Sequence, residues 1–189
     1  MRVLVACEYS GTVRDAFTDA GHHAVSVDLL ESETPGPHYS GFDVRYYMHG
    51  PWDLMIAHPP CTHLAVSGAR WFKDKKKEQE LAMKLVMDLL GAKIEKIALE
   101  NPVGIISTQY RKPDQIIHPW MFGDPYTKRT CLWLKNLPKL VPTDIVDKGE
   151  IVVHGGKRIP KWYSNHKKQR DRTFKGIAKA MAEQWGGDG

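Results

Sequence analysis

The chain has 189 residues, 42% of them hydrophobic and 26% charged, a length and balance that suit one folded domain with a real core rather than a disordered chain. No apolar run approaches the roughly 20 residues that a membrane-spanning helix needs, and acidic Glu8 interrupts the opening apolar stretch before it could resemble a signal segment, so a cytoplasmic protein is expected. Three widely spaced cysteines argue for reduced thiols over a disulfide framework, and a net charge of +5 favours polyanionic partners without requiring nucleic acid.

In chain order, Arg2 to Ala6 reads as a short buried strand, followed by a helix over Gly11 to Ala20 with Val13, Ala16 and Phe17 at helical spacing. Ala24 to Asp28 is a second strand ending in an acid, and Asp53 to Ala57 and Lys96 to Leu99 are two more, rich in residues that suit a sheet buried on both faces. Between these last two, Ala82, Leu85, Val86, Leu89 and Leu90 mark one face of an amphipathic helix that ends at Gly91. Arg129 to Leu134 is another strand, Glu150 to Val153 and Arg158 to Ile159 flank Gly155 and Gly156 as a hairpin, and Phe174, Ile177, Ala178, Met181, Ala182 and Trp185 line a final helix. Strands alternating with helices predict an α/β fold with a doubly wound, mostly parallel sheet and helices on both faces, in which ligands bind beyond the carboxyl ends of the strands.

Two motifs fall at that edge. His58, Pro59, Pro60, Cys61, Thr62 and His63 follow the Asp53 to Ala57 strand, and two consecutive prolines stiffen the loop so that Cys61 is presented. Glu100, Asn101 and Pro102 follow the Lys96 to Leu99 strand, so a thiol and a carboxyl group are expected to face one another across a crevice. Carbon 5 of cytosine is a poor nucleophile until a thiolate adds at carbon 6 and ring nitrogen 3 is protonated, and this pair suits that reaction: Cys61 adds, and a buried Glu100 with a raised pKa donates the proton. A cysteine after a strand is commonly a small buried hydrophobe, the reading given to Cys7 and Cys131; for Cys61 the company of Pro59, Pro60, Glu100 and Asn101 reverses it. His58, Cys61 and His63 lack a second ligand pair, so no metal is assigned.

The proline-cysteine loop and the Glu-Asn-Pro turn, in this order on successive strands, resemble the nucleophile and glutamate motifs of DNA (cytosine-5) methyltransferases. The resemblance implies a Rossmann-like methyltransferase fold and S-adenosylmethionine as cofactor. It implies cofactor contacts at Glu8, Tyr9, Ser10 and Gly11 in the first motif, at Asp28 beside the ribose, at Asp43 beside the adenine and at Pro59. Arg129 is similar to a base-positioning arginine and joins Cys61 and Glu100 as a catalytic residue, while Thr173 to Trp185 resembles the last motif. Asp28 and Asp43 are read about equally well as solvated loop acids. The chain departs from the family in its glycine-poor first motif and in lacking a sizeable target-recognition domain.

In place of that domain stands a short basic stretch, so residues 1–136 and 173–189 are assigned to the catalytic domain and 137–172 to an insertion. Lys157, Arg158, Lys161, Trp162, Lys167, Lys168 and Arg170, with Ser67 and Arg70 after the cysteine loop, are the candidate nucleic-acid contacts, because aromatics among cations suit stacking on unpaired bases. The expected partner is DNA whose cytosine is flipped out or unpaired and read with low sequence specificity. Two alternatives stand beside it: a cytidine nucleotide as substrate, and a DNA-binding relic that has lost catalysis.

Overall fold

The computed structural model describes residues 1–66, 75–154, 156–162 and 171–187, with the backbone alone for His154, Lys157 and Arg158. Its elements are β1 (Arg2–Ala6), α1 (Thr12–Asp19), β2 (His23–Asp28), β3 (His38–Ser40), β4 (Leu54–Ala57), α2 (Lys76–Leu90), β5 (Lys96–Pro102), α3 (Ile106–Gln109), β6 (Gln115–Ile117), β7 (Thr130–Lys135), β8 (Ile151–His154), β9 (Lys157–Pro160) and α4 (Lys175–Trp185). A seven-stranded sheet in the order β3-β2-β1-β4-β5-β7-β6 forms the centre, and β8 and β9 make a separate two-stranded hairpin. All pairings from β3 to β5 are parallel, whereas β7 runs antiparallel to both β5 and β6. This is the expected doubly wound, mostly parallel α/β architecture, with helices on both faces of the sheet.

Alternation along each central strand divides the core in two, as a strand buried on both faces requires. Val3 and Val5 of β1, Leu54 and Ile56 of β4 and Ala98 of β5 pack with Phe17 of α1 and Met181 and Trp185 of α4. The intervening Leu4, Ala6, Met55, Ala57, Ile97 and Leu99 pack on the other face with Met83, Val86 and Leu89 of α2. Leu140 and Trp162 of the stretch expected to be an insertion belong to the first of these clusters, so part of that stretch is built into the core.

Three short elements carry no periodic signal: β3 and β6 have three residues each and α3 has four. Strand β5 runs further than expected because β7 pairs with it as far as Pro102 opposite Thr130, which places Glu100 and Asn101 inside the strand.

Arg14 ties α1 to the segment between β2 and β3. Its side chain is 0% exposed, and it donates to Asp15 Oδ1 at 2.8 Å, Ser26 Oγ at 3.2 Å, Ser32 Oγ at 3.1 Å, Thr34 Oγ1 at 2.6 Å and the Pro35 carbonyl at 3.0 Å. Gly11, at φ +74°, makes room for this clasp: a Cβ there would lie 2.1 Å from Thr34 Oγ1 and 2.6 Å from the guanidinium. Replacing Arg14 by Met keeps much of the volume and strands several buried polar groups, which is expected to lower stability by about 3 kcal/mol. Urea unfolding checks this: the midpoint falls with an unchanged slope, and a midpoint equal to wild type contradicts the clasp.

Candidate active site

The order of the strands reverses between β1 and β4, and a cleft of about 320 Å³ opens there at the carboxyl edge, lined among others by Cys7, Tyr9, His58, Cys61, Glu100 and Lys128. It lies where open α/β sheets place their ligands. A smaller hollow of about 120 Å³ shares Cys7, Asp28 and Pro60 with it and is otherwise walled by residues that include Leu29, Phe42, Asp43, Val44 and Leu85.

The Cys61 loop is fixed at both ends. The His58 amide donates to the Ala6 carbonyl at 2.9 Å, Asn101 Nδ2 donates to the Pro59 carbonyl at 2.8 Å, and the Cys61 carbonyl accepts from the Leu64 and Ala65 amides at 3.0 and 2.9 Å. Beyond it, the Val66 amide bonds the Val103 carbonyl and the Ile105 amide bonds the Leu64 carbonyl, at 3.0 and 2.9 Å. Gly104 permits that approach, since a Cβ would lie 2.0 Å from the Leu64 carbonyl oxygen. Cys61 is consequently half-buried at the cleft and held by backbone contacts on either side.

Two charges, on Glu100 and Lys128, set the chemistry of Cys61. Burial pushes the Cys61 thiol up and the Glu100 charge adds to this, while Lys128 opposes it, so the resting group is a thiol. Burial also pushes the Glu100 carboxyl up, but the His58 hydrogen bond and the Lys128 charge outweigh it and hold the carboxyl below its usual range. That reverses the expectation of a raised Glu100: it is an ionised carboxylate, an acceptor rather than a ready acid. The other thiols are inert, with burial and the Asp28 and Asp43 charges pushing Cys7 up to about 12, and burial and the Glu100 charge pushing Cys131 up to about 11. Cys131 is a core residue, as expected, whereas half-buried Cys7 floors the cleft with φ at +59°.

The expected cofactor residues divide. Tyr9, Asp28 and Pro59 line the cleft, and Asp28 and Asp43 line the adjoining hollow. Asp43 is engaged by its neighbour Arg45, which also reaches Asp88. The Glu8 side chain lies elsewhere: 4% exposed, it accepts from the Val13 and Arg14 amides at 2.7 and 3.1 Å and from Ser10 Oγ at 3.2 Å, capping α1. Ser10 is buried beside it, and Gly11 makes room for the Arg14 clasp, so Glu8, Ser10 and Gly11 shape the start of α1.

Arg129 stands outside the cleft. It is exposed, and its charge acts on His118 and Cys131, while the preceding Lys128 lines the cleft and acts on Cys61 and Glu100. His58, Lys128, Asn101 and Asp171 are cleft residues to which sequence reading gave no role in the chemistry. The alternation of β7 behind Thr130 was the available signal for Lys128, because adjacent residues entering a strand point to opposite sides.

Among the nucleic-acid candidates, Trp162 is 6% exposed and packs against the rings of Tyr126 and Phe174, so it anchors the core and offers no stacking surface. Lys161 bonds Glu150 at 2.6 Å. Lys157 and Arg158 lie on β9, with side chains outside the described atoms, and Ser67, Arg70, Lys167, Lys168 and Arg170 lie outside the described residues.

No protein-family model matches the sequence, and no curated protein matches it. Among solved structures, an E. coli prophage protein provisionally described as a DNA modification methyltransferase is similar at 16% identity and a TM-score of 0.47, over 78% of this chain and 52% of that one. The chain spans about half the length of that protein, and so loose a likeness bears on neither substrate nor reaction.

Because the charge on Glu100 opposes thiolate formation and that on Lys128 favours it, alkylation separates their effects. Iodoacetamide is expected to label Cys61 ahead of Cys7 and Cys131, with a rate that rises with pH. Glu100→Gln is expected to accelerate labelling at pH 8, and Lys128→Gln to slow it. Peptide mass spectrometry reads the site and rate, and equal rates in all three proteins contradict the charge arrangement.

Proposed function

We propose that the chain is an S-adenosylmethionine-dependent methyltransferase that acts on carbon 5 of cytosine in DNA with low sequence specificity. The observation that carries this reading is the convergence of Cys61, Glu100 and Lys128 on one cleft at the switch of strand order, next to a hollow bearing Asp28 and Asp43.

The cofactor site fits a cation without phosphate. In dinucleotide folds the amides at the first helix N-terminus receive a pyrophosphate, but here the Glu8 carboxyl already occupies them. A phosphate would meet a group of its own sign. Asp28 and Asp43 suit ribose hydroxyls and an adenine amine, and Leu29, Phe42, Val44, Pro60 and Leu85 supply an apolar wall for the purine. Bound there, S-adenosylmethionine would supply an electrophilic methyl group.

The chain's own residues prepare the base. An ionised Glu100 pairs with a ring that carries a proton at nitrogen 3, so it stabilises protonation as the base enters. Neutralising Glu100 in this way removes the charge that opposes the Cys61 thiolate, and Lys128 favours the thiolate throughout. Cys61 gives its proton to solvent as its sulfur adds to carbon 6, and the displaced π electrons run to protonated nitrogen 3, leaving an enamine whose carbon 5 is nucleophilic. After methyl transfer, solvent takes the carbon 5 proton, the carbon–sulfur bond breaks with sulfur leaving as thiolate, and nitrogen 3 gives up its proton to restore the neutral ring. A base inside a duplex must leave the stack to reach this cleft. Trp162 is buried in the core, and the cations of residues 157–170 with Ser67 and Arg70 contact the DNA.

Bisulfite sequencing of DNA treated with S-adenosylmethionine and wild-type, Cys61→Ala or Glu100→Gln protein tests the reading. Wild type is expected to protect cytosines at many sequence contexts, Cys61→Ala at none, and Glu100→Gln about 10²- to 10⁴-fold more slowly. Identical patterns for wild type and Cys61→Ala refute it. Methylation of a free cytidine nucleotide with none on DNA would move the reading to the smaller substrate.

A further inference from the structure

We infer that His58 is a positioning residue for Glu100, holding the carboxyl's orientation and governing its proton through Nδ1. This deepens the reading just given and rests on it for the role of Glu100.

His58 is placed for that task by the strands rather than by chance contact. It is the first residue beyond β4, its amide is bonded to β1 at Ala6, and Pro59 follows it, so its backbone has little freedom. Its Nδ1 lies 3.4 Å from Glu100 Oε2 and 3.5 Å from Thr173 Oγ1. Its Nε2 is buried without a hydrogen-bond partner among the described residues.

An ionised carboxylate only accepts, so Nδ1 must carry the proton to bond Glu100. The Thr173 hydroxyl can accept from that same N–H or donate to a bare Nδ1, so it is compatible with either state of the nitrogen. With its N–H directed at Glu100, the imidazole fixes the orientation of the carboxyl. The other groups around the pair are Cys61 on the same loop, Lys128 and Cys131 on the β7 side, and Asp171 on the segment entering α4. Of these, Lys128 reinforces the ionised Glu100.

The test uses the full chain labelled with ¹⁵N-histidine, with the His58 signal assigned by its loss in His58→Asn. Wild type is expected to show the Nδ1–H tautomer at His58, and Glu100→Leu to convert it to Nε2–H; a tautomer indifferent to Glu100 overturns the inference. Carboxyl ¹³C titration is expected to show Glu100 moving to higher pH in His58→Leu and returning in His58→Asn, whose amide N–H stands where Nδ1–H was. Methyl transfer is expected to fall about 10²-fold in His58→Leu, mainly in kcat, and to recover within a few-fold in His58→Asn. A loss that is equal in both variants, with Glu100 titrating as in wild type, is the signature of a merely structural histidine and also overturns it. If the wild-type protein transfers no methyl group while the titration coupling is intact, the reaction assigned to the cleft fails and the His58–Glu100 coupling stands.

Discussion

Ala57 of β4 lies in register with Ala6 of β1 on one side and Leu99 of β5 on the other, and the chemistry at the carboxyl edge follows from that alignment. Because β1 and β4 end level with Leu99 of the longer β5, three features emerge side by side: Cys7 after β1, the His58 to Cys61 loop after β4, and Glu100 one residue past Leu99 within β5. A shift of one residue in β4 would exchange its two buried faces, moving Leu54 and Ile56 from the α1 and α4 side to the α2 side. The core therefore enforces the register, and the register places a thiol beside a carboxylate. Asn101 adds the last constraint by bonding the Pro59 carbonyl, so that β5 itself holds the loop bearing the thiol.

A second constraint comes from the far end of the chain. The segment entering α4 touches four separate parts of the cleft wall: Asp171 accepts from Tyr9, Arg172 pairs with Glu33, the Arg172 carbonyl accepts from Lys128, and Thr173 reaches His58. Residues distant in sequence thereby tie the β1 loop, the β2 to β3 segment, the β4 loop and the entry to β7 together. Glu8 acts at the opposite corner, closing the helix N-terminus against anions. The resulting cleft is rich in carboxyl groups, with Lys128 as its principal cation.

Much of this was legible in the sequence because it depends on local pattern. Runs such as Val3 to Ala6 and Leu54 to Ala57 are apolar on both faces, which only a covered strand tolerates, and the helical stripe from Ala82 to Leu90 has one reading. Pro59 and Pro60, just before Cys61, are stiff by covalent structure alone. What escaped depends on pairing. Strands β3 and β6 are too short to show a period, and the extension of β5 through Glu100 exists only because β7 lies against it. The same antiparallel strand decides that Lys128 and not Arg129 enters the cleft. Glu8 looked like part of a cofactor loop, and its turn back onto the α1 amides appears only once the helix start is fixed at Thr12. Trp162 stood among cations and read as a stacking residue, yet it fills the space beside Tyr126 and Phe174.

The central claim is that the Cys61 sulfur forms a bond to carbon 6 of a cytosine held by Glu100. DNA containing 5-fluorocytosine, incubated with the protein and S-adenosylmethionine, reports this directly, because fluorine at carbon 5 cannot be lost as a proton and the adduct is trapped. Mass spectrometry is predicted to find one covalent adduct per chain, located on the peptide containing Cys61 and absent in Cys61→Ala. An unmodified Cys61, or an adduct that persists in Cys61→Ala, would contradict the account.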